Sequence, residues 1–160
     1  MTSIEDYTFY KCSSLTSISI PNSVTNIGYE AFHACRELTS ASIGKSVTNI
    51  EMEAFSDCNK LADLYCYAES VPEAVDRSFA YIYATCTLHV PEVSINDYKT
   101  TLPWSNFSKI VALSAEDGID MPTVEEEESG TYYTLDGRPI GGKPTSKGLY
   151  IIGGKKVVIK

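Results

Sequence analysis

The sequence predicts a mainly β repeat solenoid, in which short parallel strands stack along the chain, and three observations carry this prediction. One pattern recurs every 23 residues through the first 70 residues. Residues 2–24 and 25–47 are identical at 11 of 23 aligned positions. Apolar and cysteine positions recur while charged positions drift, because only inward positions are held by neighbouring repeats. The recurring positions form four series: Ile4, Ile27 and Ile50; Phe9, Phe32 and Phe55; Cys12, Cys35 and Cys58; Leu15, Leu38 and Leu61.

Each repeat is expected to contribute one strand and one short return segment. Residues 15–20 of the first repeat, Leu-Thr-Ser-Ile-Ser-Ile, alternate so that the isoleucines point inward and the serines outward. Pro21 should end this strand, because proline cannot donate to a ladder. Residues 28–35 are too few for a stable helix, so they predict a single helical or 3-10 turn that tucks Phe32 under the strand. A period in the range of about 20–29 residues with Leu-x-x-Ile-x-Ile strands indicates an α/β-type leucine-rich-repeat solenoid.

The pattern changes after Leu61 but gives one further strand. Residues 87–91, Thr-Leu-His-Val-Pro, match the strand and proline of the first repeat. They lie one residue later than the period predicts, because the non-repeating segment before them, residues 68–85, contains one added residue. Residues 92–111 supply large aromatic side chains that should cover the open end of the stack: Tyr98, Trp104 and Phe107.

Charge divides the chain into three parts. Residues 1–112, the predicted solenoid with its C-terminal cap, carry 7 Lys/Arg and 13 Asp/Glu. Residues 113–130 carry seven acids and no base, which is the composition of an acidic linker. Residues 131–160, the basic tail, carry six bases and one acid. The net charge of −8 argues against nucleic-acid binding by the main domain, and no apolar run approaches the roughly 18–20 residues of a transmembrane segment.

The basic tail predicts a small β-module of three strands. Residues 132–140, 148–152 and 155–160 have strand-like composition, and Asp136-Gly137 and Gly153-Gly154 are turn signals. At the other end, the chain begins within a repeat, without a capping segment or a signal peptide. We therefore expect it to be the C-terminal part of a longer protein.

The repeat unit resembles the BspA-type leucine-rich repeats of surface proteins from Bacteroidetes and some mucosal parasites. The resemblance rests on residues 26–40, Asn-Ile-Gly-Tyr-Glu-Ala-Phe-His-Ala-Cys-Arg-Glu-Leu-Thr-Ser. The basic tail is similar to the short C-terminal module of many exported Bacteroidetes proteins. The resemblance implies an extracellular or outer-surface location, adhesion to a protein partner in the host extracellular matrix or on another cell, and a tail read by secretion machinery. The alternative is a structural capping and export or anchoring end of a longer surface protein, with no ligand binding of its own.

No pattern predicts a catalytic residue, a cofactor or a metal site. The sequence contains no Gly-x-Ser-x-Gly, Walker or His-Glu-x-x-His motif and no Cys-x-x-Cys pair. His33 occupies a variable slot of a return segment, which predicts a solvated surface residue. The five cysteines are expected to be free thiols in the core, although pairing of Cys66 with Cys86 stays open.

Candidate partner-binding residues come from the outward face of the predicted sheet. Alignment of the repeats places Ser19, Ser42, Tyr65 and His89 in one ladder, so small residues give way to large ones toward the C-terminal strands. We name the five large or polar residues at this end the outward cluster: Asp63, Tyr65, Tyr67, Thr87 and His89. Exposed aromatic side chains carry much of the binding energy of interfaces. The alternative is that these side chains pack against residues 68–85, which include Tyr81 and Tyr83.

Overall fold

The computed structural model describes residues 2–114 and four strands nearer the C-terminus. Nine strands lie in the first of these parts: β1 (Ser3–Ile4), β2 (Ser17–Ile20), β3 (Asn26–Ile27), β4 (Ser40–Ile43), β5 (Asn49–Ile50), β6 (Asp63–Cys66), β7 (Glu73–Ala74), β8 (Thr87–Val90) and β9 (Lys109–Ala112). They form two parallel sheets, ordered β2-β4-β6-β8-β9 and β1-β3-β5-β7. The predicted solenoid of short parallel strands is confirmed.

The register between strands follows the sequence period. Ser19 lies opposite Ser42, Ser42 opposite Tyr65, and Tyr65 opposite His89. Each strand therefore presents equivalent positions of successive repeats to the same face. The second sheet, made of two-residue strands such as Asn26–Ile27, was not predicted. Its hydrogen bonds also follow the period, and the Asn49 side-chain amide donates to Asn26 Oδ1 over 2.6 Å.

The return segments are residues 5–12, 28–35, 51–58 and 75–82, and only the last contains a 3-10 helix, Asp76–Phe79. The first three are chains of hydrogen-bonded turns. Within the second, the Ala31 N–H donates to the Gly28 carbonyl, whereas the Phe32 N–H donates to Ala54 in the next repeat over 2.8 Å. Because the neighbouring repeat takes alternate donors, a regular helical turn does not form. Two slots in each of these segments instead adopt positive φ: Tyr7 and Lys11, Glu30 and Ala34, Glu53 and Asp57.

The core is a set of ladders between the two sheets. The Phe9, Phe32, Phe55 and Phe79 rings stack with centroid separations of 5.1, 5.0 and 6.0 Å. These separations are close to the spacing of about 4.8 Å between neighbouring strands, because each ring comes from one repeat. Phe32, Phe55 and Phe79 are fully buried, whereas Phe9 is partly buried. The Phe ladder is therefore a direct product of the 23-residue period.

The C-terminal end of the stack is covered by the aromatic segment, as expected, and also by a strand that was not predicted. The segment contains the α-helix Ile95–Thr100 between two 3-10 helices, Glu92–Ser94 and Trp104–Asn106. Its three large aromatic residues are buried, and the Trp104 indole Nε1 donates to the Pro72 carbonyl over 2.8 Å. Strand β9 then pairs with β8 in parallel, with Thr87 opposite Lys109. The cap thus seals the core and extends the sheet.

A second compact unit, Asp120–Lys160, follows the first, Met1–Ile119. Its described strands form one antiparallel sheet: Tyr132–Tyr133, Pro139–Ile140, Gly148–Ile152 and Lys155–Ile159. The sheet has four strands and not three, because residues 132–140 contribute two short strands that pair with each other. The predicted turns at Asp136-Gly137 and Gly153-Gly154, and residues 115–130 of the predicted linker, lie outside the described residues. The domain boundaries at residues 112 and 130 therefore stay a prediction.

Gly44 tests the close stacking of the first two repeats. A Cβ atom at Gly44 would lie 2.7 Å from the Pro21 carbonyl carbon and oxygen, which are backbone atoms that cannot move aside. We expect Gly44→Ala to lower the free energy of unfolding by about 1–3 kcal/mol, the usual cost of overpacking. Urea unfolding followed by far-UV circular dichroism measures this. Ser13→Ala, at an exposed turn, is the control, and equal stability of the two variants would contradict the packing described.

Candidate recognition surface

The outward cluster lies on two neighbouring strands of the larger sheet. In β6 and β8 the alternation buries Leu64, Cys66, Leu88 and Val90 and leaves the intervening residues partly exposed on the other face. Because the strands are parallel and in register, Asp63 lies opposite Thr87 and Tyr65 lies opposite His89. The predicted outward positions of these four residues are those found. Tyr67 follows the end of β6, where its N–H donates to the Ile43 carbonyl over 3.0 Å.

Three members of the outward cluster are in direct contact. His89 Nε2 lies 2.9 Å from Asp63 Oδ1, and the His89 and Tyr65 rings stack with centroids 4.3 Å apart. A carboxylate can only accept a hydrogen bond, so this contact places a proton on Nε2 of His89. The His89 side chain is 13% exposed and that of Asp63 is 42% exposed. The histidine thus holds the tyrosine ring on one side and the carboxylate on the other, which orders both.

Strand β9 adds two residues to this face that the sequence analysis missed. Val111 lies opposite His89, and Lys109 lies opposite Thr87 with its side chain exposed. The ladder of acidic Asp63 and polar Thr87 therefore ends on a positive charge. The run Lys-Ile-Val-Ala, rich in β-branched residues, is a signal that could have identified this strand. Ser42, also predicted to point outward, is fully buried, and its hydroxyl donates to the Ser19 hydroxyl over 3.0 Å.

The tyrosines of residues 68–85 make other contacts than the alternative prediction requires. Tyr83 packs against Phe79 and Phe107, and its hydroxyl donates to the Asp76 carbonyl. Burial raises the pKa of Tyr83 above its usual value. Tyr81 is 77% exposed. These contacts do not involve the outward cluster.

The cysteines behind the outward cluster are buried free thiols. Cys66 lies on the inward face of β6, where its sulfur is 3.3 Å from the Tyr98 hydroxyl, which in turn donates to the Ala68 carbonyl over 2.7 Å. Burial raises the pKa of Cys66 to about 11 and that of Cys86 to about 12. All five cysteines are free, so Cys66 and Cys86 do not form a disulfide. Protonated, buried thiols of this kind act as small apolar side chains.

A second cluster lies on the return segments, and it corrects the expectation for His33. This side chain is 20% exposed, so it is largely buried and not solvated. Its ring stacks on Tyr10 at 5.5 Å, and its Nδ1 lies 3.6 Å from Glu53 Oε2. Possible ligand atoms of Glu30, His33 and Glu53 all lie within 4.8 Å of one another. The variable slot of His33 concealed this arrangement, because variation between repeats does not distinguish exposure from a local side-chain cluster.

Comparisons with known proteins agree with this architecture. No helix in the described part of the chain is long and apolar enough to cross a membrane. No curated protein matches the sequence. The crystal structure of a leucine-rich-repeat protein from T. pallidum is similar, with 19% identity and a TM-score of 0.48 over 78% of this chain and 73% of that one. A family model described as "BspA type Leucine rich repeat region (6 copies)" matches residues 1–115. The chain therefore belongs to the BspA-type leucine-rich-repeat family.

Proposed function

We propose that this chain is a non-enzymatic interaction protein of the cell surface or the secreted fraction, and that it adheres to a protein partner through the outward cluster. The observation that carries this proposal is the stack of Tyr65 on His89 beside the Asp63 carboxylate. Two neighbouring strands fix these side chains on a rigid sheet. A partner therefore meets an ordered surface, and less conformational entropy is lost on binding.

Family membership supports the general part of this proposal. Leucine-rich-repeat proteins are generally protein-binding scaffolds, and the match over residues 1–115 points to a non-enzymatic repeat protein. The outward cluster combines aromatic rings with a carboxylate and a nearby lysine, Lys109. Buried aromatic anchors supply binding energy, and flanking charges supply orientation. A folded protein with a basic and apolar epitope matches this surface.

The location and the partner are inferred by analogy with the repeat family. BspA-type repeats suggest a surface-exposed or secreted protein, and a host extracellular-matrix protein or another cell surface is then the partner. In this proposal, residues 1–112 bind, residues 113–130 act as an acidic linker, and the basic tail is read by secretion machinery. The competing role is a structural cap and export end without its own ligand. The two roles differ in whether the chain binds a partner saturably.

The binding proposal predicts that the double variant Tyr65→Ala/Tyr67→Ala loses at least about tenfold in affinity, because truncating an aromatic anchor typically costs over 1 kcal/mol. Surface plasmon resonance with immobilised extracellular-matrix proteins measures the dissociation constant. Tyr81→Ala is the matched control, since it removes an exposed tyrosine elsewhere. Circular dichroism establishes that each variant is folded.

Two outcomes would contradict the proposal in different ways. Wild-type chain that shows no saturable binding at micromolar concentration would favour the capping and export role. Wild-type binding that the double variant retains in full would place the binding surface outside the outward cluster.

A further inference from the structure

The return segments bring three metal-ligand side chains together from two successive repeats. Glu30 and His33 belong to the second repeat and Glu53 to the third, in the slot 23 residues after Glu30. Backbone hydrogen bonds hold the two segments side by side, from Glu30 N–H to the Met52 carbonyl over 3.1 Å and from Ala34 N–H to Ser56 over 2.9 Å. The 4.8 Å limit on the separation of the possible ligand atoms therefore reflects the rigid stack.

The His33 imidazole is directed at this group of oxygens without a hydrogen bond to it. Its Nδ1 faces Glu53 Oε2 at 3.6 Å, which is too long for a hydrogen bond. Nδ1 is buried and has no hydrogen-bond partner. The ring is held in place by stacking on Tyr10. A cation between Nδ1 and the carboxylates would satisfy this nitrogen.

The charges around the group favour a cation. Glu30 and Glu53 supply two carboxylates around a ring that ligates in its neutral form. Arg77 Nη2 contacts Glu53 Oε1 over 2.7 Å, so the arginine uses the carboxylate oxygen other than the one that faces His33. The Arg77 side chain is 65% exposed, so it can remain on Oε1 or move into solvent. Neither position blocks the side facing His33.

We propose that Glu30, His33 and Glu53 bind a divalent transition-metal ion of the Zn²⁺ class. One imidazole nitrogen and two carboxylate oxygens suit Zn²⁺ and related ions, whereas Ca²⁺ and Mg²⁺ prefer oxygen ligands alone. Three protein ligands leave coordination positions for water. Because the ligands come from two repeats, the bound ion would clamp the second repeat to the third.

Titration of the full chain with Zn²⁺ by isothermal calorimetry, and with Co²⁺ by visible absorption, tests this proposal. We expect saturable binding and a higher melting temperature with Zn²⁺, since a ligand that binds the folded state stabilises it. His33→Ala and Glu53→Gln should each weaken binding by more than about tenfold. His89→Ala, which removes the chain's other histidine, should bind like wild type.

Each remaining outcome counts against the site. Unchanged binding in His33→Ala would mean that the ion is held elsewhere, for example by the acidic residues 113–130. A thiolate-to-Co²⁺ charge-transfer band would assign the ion to a cysteine. Absence of saturable Zn²⁺ binding by the folded wild-type chain at submillimolar concentration would overturn the proposal. Far-UV circular dichroism of every variant separates loss of the site from loss of the fold.

Discussion

Phe32→Ala is expected to lower the free energy of unfolding by about 3–5 kcal/mol, the usual cost of truncating a buried aromatic side chain. The Phe32 ring is fully buried and stacks on Phe9 at 5.1 Å and on Phe55 at 5.0 Å. Its removal leaves a cavity that the repeats cannot close, because backbone hydrogen bonds fix their spacing. Urea unfolding followed by far-UV circular dichroism measures the change.

Phe9→Ala is the matched comparison for this prediction. Phe9 occupies the same slot in the first repeat but is only partly buried, so its truncation should cost less. An unchanged melting temperature for Phe32→Ala would refute the register of the Phe ladder. Equal losses for the two variants would instead mean that burial does not decrease toward the first repeat.

Trp104→Ala is expected to cost a similar amount, about 3–5 kcal/mol, because it opens the C-terminal end of the core. The indole is fully buried and packs against Phe79 at 4.8 Å and edge-on against Tyr98 at 5.2 Å. Trp104→Phe separates two contributions. It retains much of the apolar contact but leaves the buried Pro72 carbonyl without the indole donor, at a cost of about 1–3 kcal/mol.

Leu102→Ala is the control for the cap, since Leu102 is 72% exposed two residues from Trp104. Thermal unfolding by circular dichroism should place this variant close to wild type, as expected for an exposed position. If Trp104→Ala unfolded at the same temperature as Leu102→Ala, the cap would not seal the core.

The stacking register could be predicted from the sequence, because an in-register parallel sheet converts a fixed period into fixed neighbours. This is why Ser42, Tyr65 and His89 could be assigned to one ladder. The second sheet could not be predicted in the same way, since two-residue strands such as Ser3–Ile4 contain no alternation. Strand β9 was overlooked because the three aromatic residues of the cap explained the closure of the stack without it.

The candidate sites differ in how far the sequence reaches. The period places Asp63 and His89 on one face, but their hydrogen bond depends on a diagonal contact between side chains on adjacent strands. The cluster around His33 depends on the return segments, where Glu30 and Glu53 both adopt positive φ. Such a conformation is uncommon for glutamate, so the apolar pattern alone does not predict it. Cross-repeat hydrogen bonding imposes it.

Hydroxyl-radical footprinting of the full chain, free and bound to an extracellular-matrix protein, tests the central claim most directly. Oxidation read by mass spectrometry should fall at Tyr65 and Tyr67 in the complex and remain unchanged at Tyr81, the exposed internal reference. That result would place the partner on the outward cluster. Protection of Tyr81 or of the return-segment residues Tyr7 and Tyr10, with Tyr65 and Tyr67 oxidised as in the free chain, would contradict it.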